Sequence, residues 1–243
     1  MNIIDRTQHT ASISQSRQRS SRTGRFLPIF ANRGNARTRD VGHIDSIVLH
    51  ATGFSRLDTP GTDSSGSEHD DFDHTIAHFV VRQNGDVYRL RTYDVYLNNA
   101  LGLYSVSIEV EGSFPSSHEI QRNRWSRGRH QMPLSQIFAG RALVQHIRSE
   151  LNHVRHIFGH VQVTNMGVRR ANCPGPHVWY NIGEWAVSTL GLQSSGHSAR
   201  VIPPDWQDPA LDLVWPPDFP SRPSMTDAQF DSMISELASR NFS

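Results

Sequence analysis

Ser46-Ile47-Val48-Leu49-His50-Ala51-Thr52 is the stretch on which the reading of this chain turns. Its apolar centre is short and rich in branched side chains, which suits a buried strand. The run stops on a histidine, so an imidazole able to ligate a metal stands at the end of the expected strand. Outward from it, several further segments alternate or punctuate like strands. Ile76 to Val81 is a second apolar run, Asn84-Gly85 is a hairpin turn signal, and Asp86 to Leu90 returns as its partner. Tyr104 to Glu111 alternates as a further strand and ends at Gly112.

Helical periodicity appears only later in the chain. Pro133-Leu134-Ser135 precedes Ile137, Leu143, Val144, Ile147 and Leu151, which predicts a helix over about 135–153. Val154 to Phe158 then leads into Gly159-His160. Ile182, Trp185, Ala186 and Leu190 predict a second helix over about 181–190, closed by Gly191.

The flanks read differently. Residues 1–40 are rich in Ser, Arg, Gln and Thr, with Arg17, Arg19, Arg22 and Arg25 close together, and are expected to be disordered apart from Phe26 to Phe30, which can pack on the core. Residues 53–73 and 113–132 are expected to be polar loops, the second carrying Arg122, Arg124, Trp125, Arg127 and Arg129. The folded unit is expected over 41–192, with order beginning near Ile44. Residues 193–224 read as a Pro-rich linker or wrap on which Trp206 and Trp215 dock, and 225–243 as an amphipathic helix capped by Thr226 with Phe230, Met233, Ile234 and Leu237 on one face.

Composition narrows the function classes. The 243 residues carry a net charge of +1, which argues against a dedicated nucleic-acid binder. Hydrophobic residues make up 36% and the mean hydropathy is −0.51, so polar flanks are expected around an ordinary core. There is no lysine, so lysine acid–base and Schiff-base chemistry is excluded. One cysteine excludes an internal disulfide framework. The first 25 residues lack an apolar signal core, and no apolar stretch nears the roughly 18 residues of a membrane span. A cytoplasmic protein is expected, or one that reaches the periplasm or cell wall by a non-Sec route.

Three residues suit a zinc site: His50, His160 and the single cysteine, Cys173, which opens Cys173-Pro174-Gly175-Pro176. Two imidazoles and a thiolate are good zinc donors, and three protein ligands leave a fourth position open for chemistry. Singly, each residue also has an ordinary structural reading, a satisfied buried histidine or a small apolar cysteine. Spacings of 110 and 13 residues match no zinc-finger pattern.

The flanking words raise the signal. Ile47-Val48-Leu49-His50-Ala51-Thr52, Ala77-His78-Phe79-Val80-Val81, Asn84-Gly85-Asp86-Val87-Tyr88, Ser107-Ile108-Glu109-Val110-Glu111-Gly112, Gly159-His160 and Cys173-Pro174-Gly175-Pro176 follow one another in that order. The segment from about 44 to 190 thereby resembles the type-2 N-acetylmuramoyl-L-alanine amidases, a superfamily that includes anhydromuramyl-peptide amidases, phage lysozyme-like amidases and peptidoglycan recognition proteins. The resemblance implies an α/β fold: a mixed central sheet flanked by helices, with zinc in a surface groove and appendages at both ends. It implies hydrolysis of the amide between N-acetylmuramic acid and L-alanine in peptidoglycan or muropeptides, or binding of that polymer without cleavage. His50, His160 and Cys173 match the zinc ligands, and His78 matches a histidine beside the sheet that is not a ligand. Glu109 matches the acidic residue that activates the attacking water, with Glu111 as its rival on the same strand face.

Three departures from the family pattern bear on mechanism. Ala77 stands where the lysozyme-like members carry tyrosine. Ala171 stands where a lysine often stabilises the oxyanion, so Arg170, or Arg169, is expected to supply the positive charge. Asn98-Asn99-Ala100-Leu101 replaces a segment that lines the substrate groove in relatives. The combination fits a recycling enzyme, an endolysin or an antibacterial effector, the last with a secretion-machine or immunity partner at the termini.

Overall fold

A computed structural model describes residues 1–8, 38–53, 72, 75–97, 101–112, 114, 132–164 and 173–207, together with the backbone of 17–19 and 26–28. Six strands make the central sheet: β1 (Asn2–Asp5), β4 (Ser46–Ala51), β5 (Phe79–Val81), β6 (Asp86–Arg89), β7 (Ser105–Val110) and β8 (His156–Gly159), in the order β1-β6-β5-β7-β4-β8. Only β5 and β6, joined by the Asn84-Gly85 turn, run antiparallel; the other neighbours are parallel, so the sheet is mixed. Gly85 adopts φ 91°, a conformation open to glycine at little cost. β2 (Arg17–Arg19) and β3 (Phe26–Pro28) pair separately as an antiparallel ribbon.

Strand alternation divides the sheet faces. Ile47 and Leu49 of β4 and Val106, Ile108 and Val110 of β7 enter the main core with α1 (Leu134–Glu150), through Ile137, Leu143, Val144 and Ile147. On the same strands Ser46, Val48 and His50 alternate to the other face, level with Ser105, Ser107 and Glu109. The long helix thus buries one face, while the other holds a smaller apolar cluster of Phe72, Val80, Tyr88 and Leu90 and the polar side chains that end at His50 and Glu109. Gln136 fixes the helix start to the sheet, its amide donating to the carbonyls of Val81 and Glu111 at 3.0 and 2.8 Å.

The second helix begins earlier than its periodicity predicts. It runs on from α3 (Pro176–Val178) through a π-helical stretch, Trp179–Glu184, into α4 (Trp185–Leu190). Pro176 at the first turn is the starting signal. Across the wider π turn, Arg141 donates to the carbonyl of Asn181 at 2.8 Å and lies 5.0 Å over the Trp185 ring. Gly183 is required by Trp179: a Cβ there would stand 2.5 Å from the indole Cε3. The Trp179 ring in turn lies beside Gly159, just before His160. Gly183→Ala is therefore expected to lose about 1–3 kcal/mol of stability through overpacking, read as a lower urea midpoint; an unchanged midpoint refutes the tight fit.

Two expectations for the flanks need correction. Residues 2–5, part of the segment expected to be disordered, form the parallel edge strand of the main sheet beside β6. Order also begins before Ile44. Thr38 bridges to Val95, and the buried Arg39 guanidinium donates to the carbonyls of Tyr93, Gly102 and Ser105. Burial lowers the Arg39 pKa from the usual value to about 10, against the opposing pull of Asp94. Residues 193–207 lie along the domain, with Leu192 and Trp206 buried. The interiors of both polar loops, Asn98 to Ala100, Trp215, the helix expected over 225–243 and most of 9–37 lie outside the described residues. Among those described, no helix is long and apolar enough to cross a membrane.

Candidate metal centre

The end of β4 carries His50 into the polar face, buried to 1% exposure. Gly159 ends β8, and the chain turns at once into α2 (His160–Val163), which places a buried His160 beside it. Space at Gly159 is tight, since a Cβ there would stand 3.0 Å from Pro174 Cδ. The Gln162 side chain holds this turn: its oxygen accepts from Gly159 N–H at 2.9 Å, and its amide donates to Ser194 Oγ and the Arg200 carbonyl. Val161 N–H donates to the carbonyl of Cys173 at 2.7 Å, so the cysteine backbone is tied to the turn that carries His160.

These constraints bring the three expected donors together. The His50 and His160 ring centroids are 4.3 Å apart, and His50 Nδ1 lies 4.0 Å from Cys173 Sγ. One donor atom from each residue falls within 4.8 Å of the others. A tetrahedral zinc with the usual bond lengths spaces its nitrogen and sulfur ligands by roughly 3.6 Å. The donor set therefore fits zinc after a contraction of at most about 1.2 Å. Cys173 is half-buried, which leaves one side of the cluster open.

Glu109 is the register partner of His50 on the adjacent parallel strand, and the two side chains share a face. Neighbouring strands lie about 4.8 Å apart, so a carboxylate stands level with the donor cluster. Glu111 is committed elsewhere. Its buried carboxylate accepts from the Gln83 backbone N–H at 3.2 Å and pairs with Arg82 Nε at 3.4 Å. Arg82 also donates to the Tyr88 hydroxyl.

His78 is fully buried and built into the sheet. Its Nδ1 accepts from Ser107 N–H at 3.0 Å, which leaves the proton on Nε2 to donate to the Val95 carbonyl at 3.1 Å. Burial and then the Arg39 charge push its pKa well below the ordinary value, so the ring stays neutral and offers no free lone pair to a metal. Arg170 lies outside the described residues, as do Arg169 and Ala171.

Sequence reasoning passed over His177. It is buried four residues after Cys173 and stacks on Phe114 at 5.9 Å with rings 19° apart. Burial lowers its pKa to about 4. Its position next to Pro176, inside a helix start, was the available signal.

The fold and this cluster define a class: an α/β protein with a mixed sheet and a His2Cys donor cluster beside a carboxylate. Residues 40–176, more than half of the chain, match the family model Amidase_2, described as N-acetylmuramoyl-L-alanine amidase, and the chain belongs to that family. Similar solved structures include the N-acetylmuramoyl-L-alanine amidase LysC from Clostridium intestinale URNW, at 20% identity over 68% of this chain and 97% of that one, with a TM-score of 0.42. The Ph2119 endolysin from the Thermus scotoductus MAT2119 bacteriophage shares 17% identity over 75% and 97%, with a TM-score of 0.43. Drosophila PGRP-LB shares 15% over 80% and 98%, with a TM-score of 0.46. No curated protein sequence matches the chain.

Proposed function

We propose that this protein is a zinc-dependent hydrolase that cleaves the amide between N-acetylmuramic acid and L-alanine in peptidoglycan or muropeptides. The observation that carries the reading is the convergence of His50, His160 and Cys173 with Glu109 level with them on the next strand, inside the span that matches the family. His50, His160 and Cys173 would hold a zinc ion, which when bound would supply Lewis-acid polarisation of the amide carbonyl and lower the pKa of a water toward neutrality. Glu109 takes the proton of that water as general base and returns it to the departing amine of L-alanine. The buried His50 and His160 are fixed by the β4 end and by the Gly159–Gln162 turn, so they enter the reaction already oriented. Arg170 is assigned from sequence alone to stabilise the negative charge that develops on the carbonyl oxygen.

A glycan-linked stem peptide would approach the cluster from the side on which Glu109 and Cys173 are half-buried. The activity is tested with purified sacculi and with soluble anhydromuropeptides as separate substrates. Zinc-loaded protein is expected to release stem peptides that begin with L-alanine, and a chelator is expected to stop release. Protein that holds zinc by elemental analysis and binds sacculi, yet releases no stem peptide from either substrate, overturns the reading in favour of a recognition module.

A further inference from the structure

A second donor cluster stands at the opposite end of the same strands. Asp45 immediately precedes β4, His156 opens β8, and His197 comes from the segment that follows α4. One ligand atom from each falls within 4.8 Å of the other two. His156 is the register partner of Ser46, four residues before His50, which puts the two clusters roughly 13 Å apart along the sheet.

The local geometry goes beyond a histidine–aspartate hydrogen bond. His197 Nε2 stands 3.0 Å from both carboxylate oxygens of Asp45, astride the group, and the Ser46 hydroxyl donates to Asp45 Oδ1 and orients it. His156 meets His197 nearly at right angles, centroids 5.4 Å apart, and its own plane is set by stacking on Phe158 at 7°. The buried His156 Nδ1 has no hydrogen-bond partner among the described residues. His197 and Ser198 take φ of 48° and 57°, a region non-glycine residues seldom occupy, so the loop is held in an uncommon conformation at the residue that reaches the cluster. The Asp45 and His197 side chains are 36% and 21% exposed, which leaves a route for an ion and room for water as further ligands.

We propose that Asp45, His156 and His197 form a second divalent-metal site, for zinc or a similar first-row ion, that clamps residues 193–200 to the sheet. Two imidazoles and one carboxylate suit such an ion, and the ligands come from three separate parts of the chain, so binding favours the folded arrangement. The clamped segment is the one whose Ser194 and Arg200 hold Gln162, and Gln162 holds the turn that carries His160. The second ion thus steadies the first centre from behind without touching substrate.

The test counts metal on the full-length protein, stripped and then titrated with Co2+ at neutral pH. Wild type is expected to bind two ions, one with the charge-transfer band of a thiolate ligand and one without. His197→Ala and Asp45→Asn are each expected to bind one ion with that band intact, and Cys173→Ser one ion without it. Asp45→Asn keeps a hydrogen-bonding side chain, which guards against a folding defect. Proteolysis after residue 192 should quicken when wild type is stripped, and should no longer respond to metal in His197→Ala. A wild type that binds one ion, lost in Cys173→Ser, overturns the second site and leaves the amidase reading standing. A count of two in His197→Ala and Asp45→Asn overturns it as well. A wild type that binds a single ion without the thiolate band, lost in His197→Ala, counts against the amidase centre alone.

Discussion

Glu109→Gln is expected to lower kcat on muropeptides by about 10²- to 10⁴-fold while the protein stays folded and zinc-loaded. The size follows from the role: glutamine keeps the shape of the side chain next to His50 but cannot accept the proton of the attacking water. Glu111→Gln provides the contrast. Its carboxylate is buried against Arg82 and Gln83 N–H, so neutralising it leaves a buried guanidinium without its anion. That change is expected to cost about 3–5 kcal/mol of stability and to leave kcat of the folded fraction near wild type. The measurements are kcat at saturating zinc and a urea titration on both variants. If Glu111→Gln slows turnover without destabilising, and Glu109→Gln does neither, the assignment of the base is reversed.

These two glutamates also show where sequence reading stops. Alternation alone puts both on one strand face, and nothing local separates them. Separation comes from Arg82 and from the β4–β7 register, contacts that link residues about 30 and about 60 positions apart. The strand ending at His50, the Asn84-Gly85 hairpin and the helix after Pro133 were legible because each is fixed by short-range periodicity or turn chemistry. The edge strand Asn2–Asp5 was not. Four residues carry little pattern, and a parallel pairing with β6 across more than 80 positions has no local signature. The buried Arg39 was hidden likewise, since its partners are three carbonyls brought in by the loops around β7. Asp45, His156 and His197 were each readable as ordinary surface polar residues, and only the return of 193–200 to the sheet unites them. The His50, His160 and Cys173 set was accessible through the ordered words around it, because intervals of 110 and 13 residues identify no site by themselves.

Acid stability offers the second large effect, and it rests on His177. Its folded pKa of about 4 lies below the ordinary 6.5 because the ring is buried, and neither ring nitrogen has a hydrogen-bond partner among the described residues. Above pH 6.5 the imidazole is neutral in both folded and unfolded chains and contributes no pH dependence. As the pH falls through 6.5 the unfolded chain takes up a proton that the folded chain refuses until about pH 4. The unfolded state is therefore favoured, and stability drops by about 1.4 kcal/mol per pH unit, reaching about 3 kcal/mol at the lower end of the window. His177→Phe is expected to remove this loss. An apolar ring keeps the stacking on Phe114 and no longer buries two polar nitrogens, which also raises stability at neutral pH by about 1–2 kcal/mol. Urea midpoints of the metal-stripped proteins at neutral pH and near pH 4.5 measure the difference. Stripping removes the competing effect of ligand protonation at His50, His160 and Cys173, and His78 shifts in the same direction in both proteins, so it cancels. Parallel pH profiles for wild type and His177→Phe would mean that the imidazole is protonated in the fold at little cost, and that its packing between Phe114 and the helix start admits water.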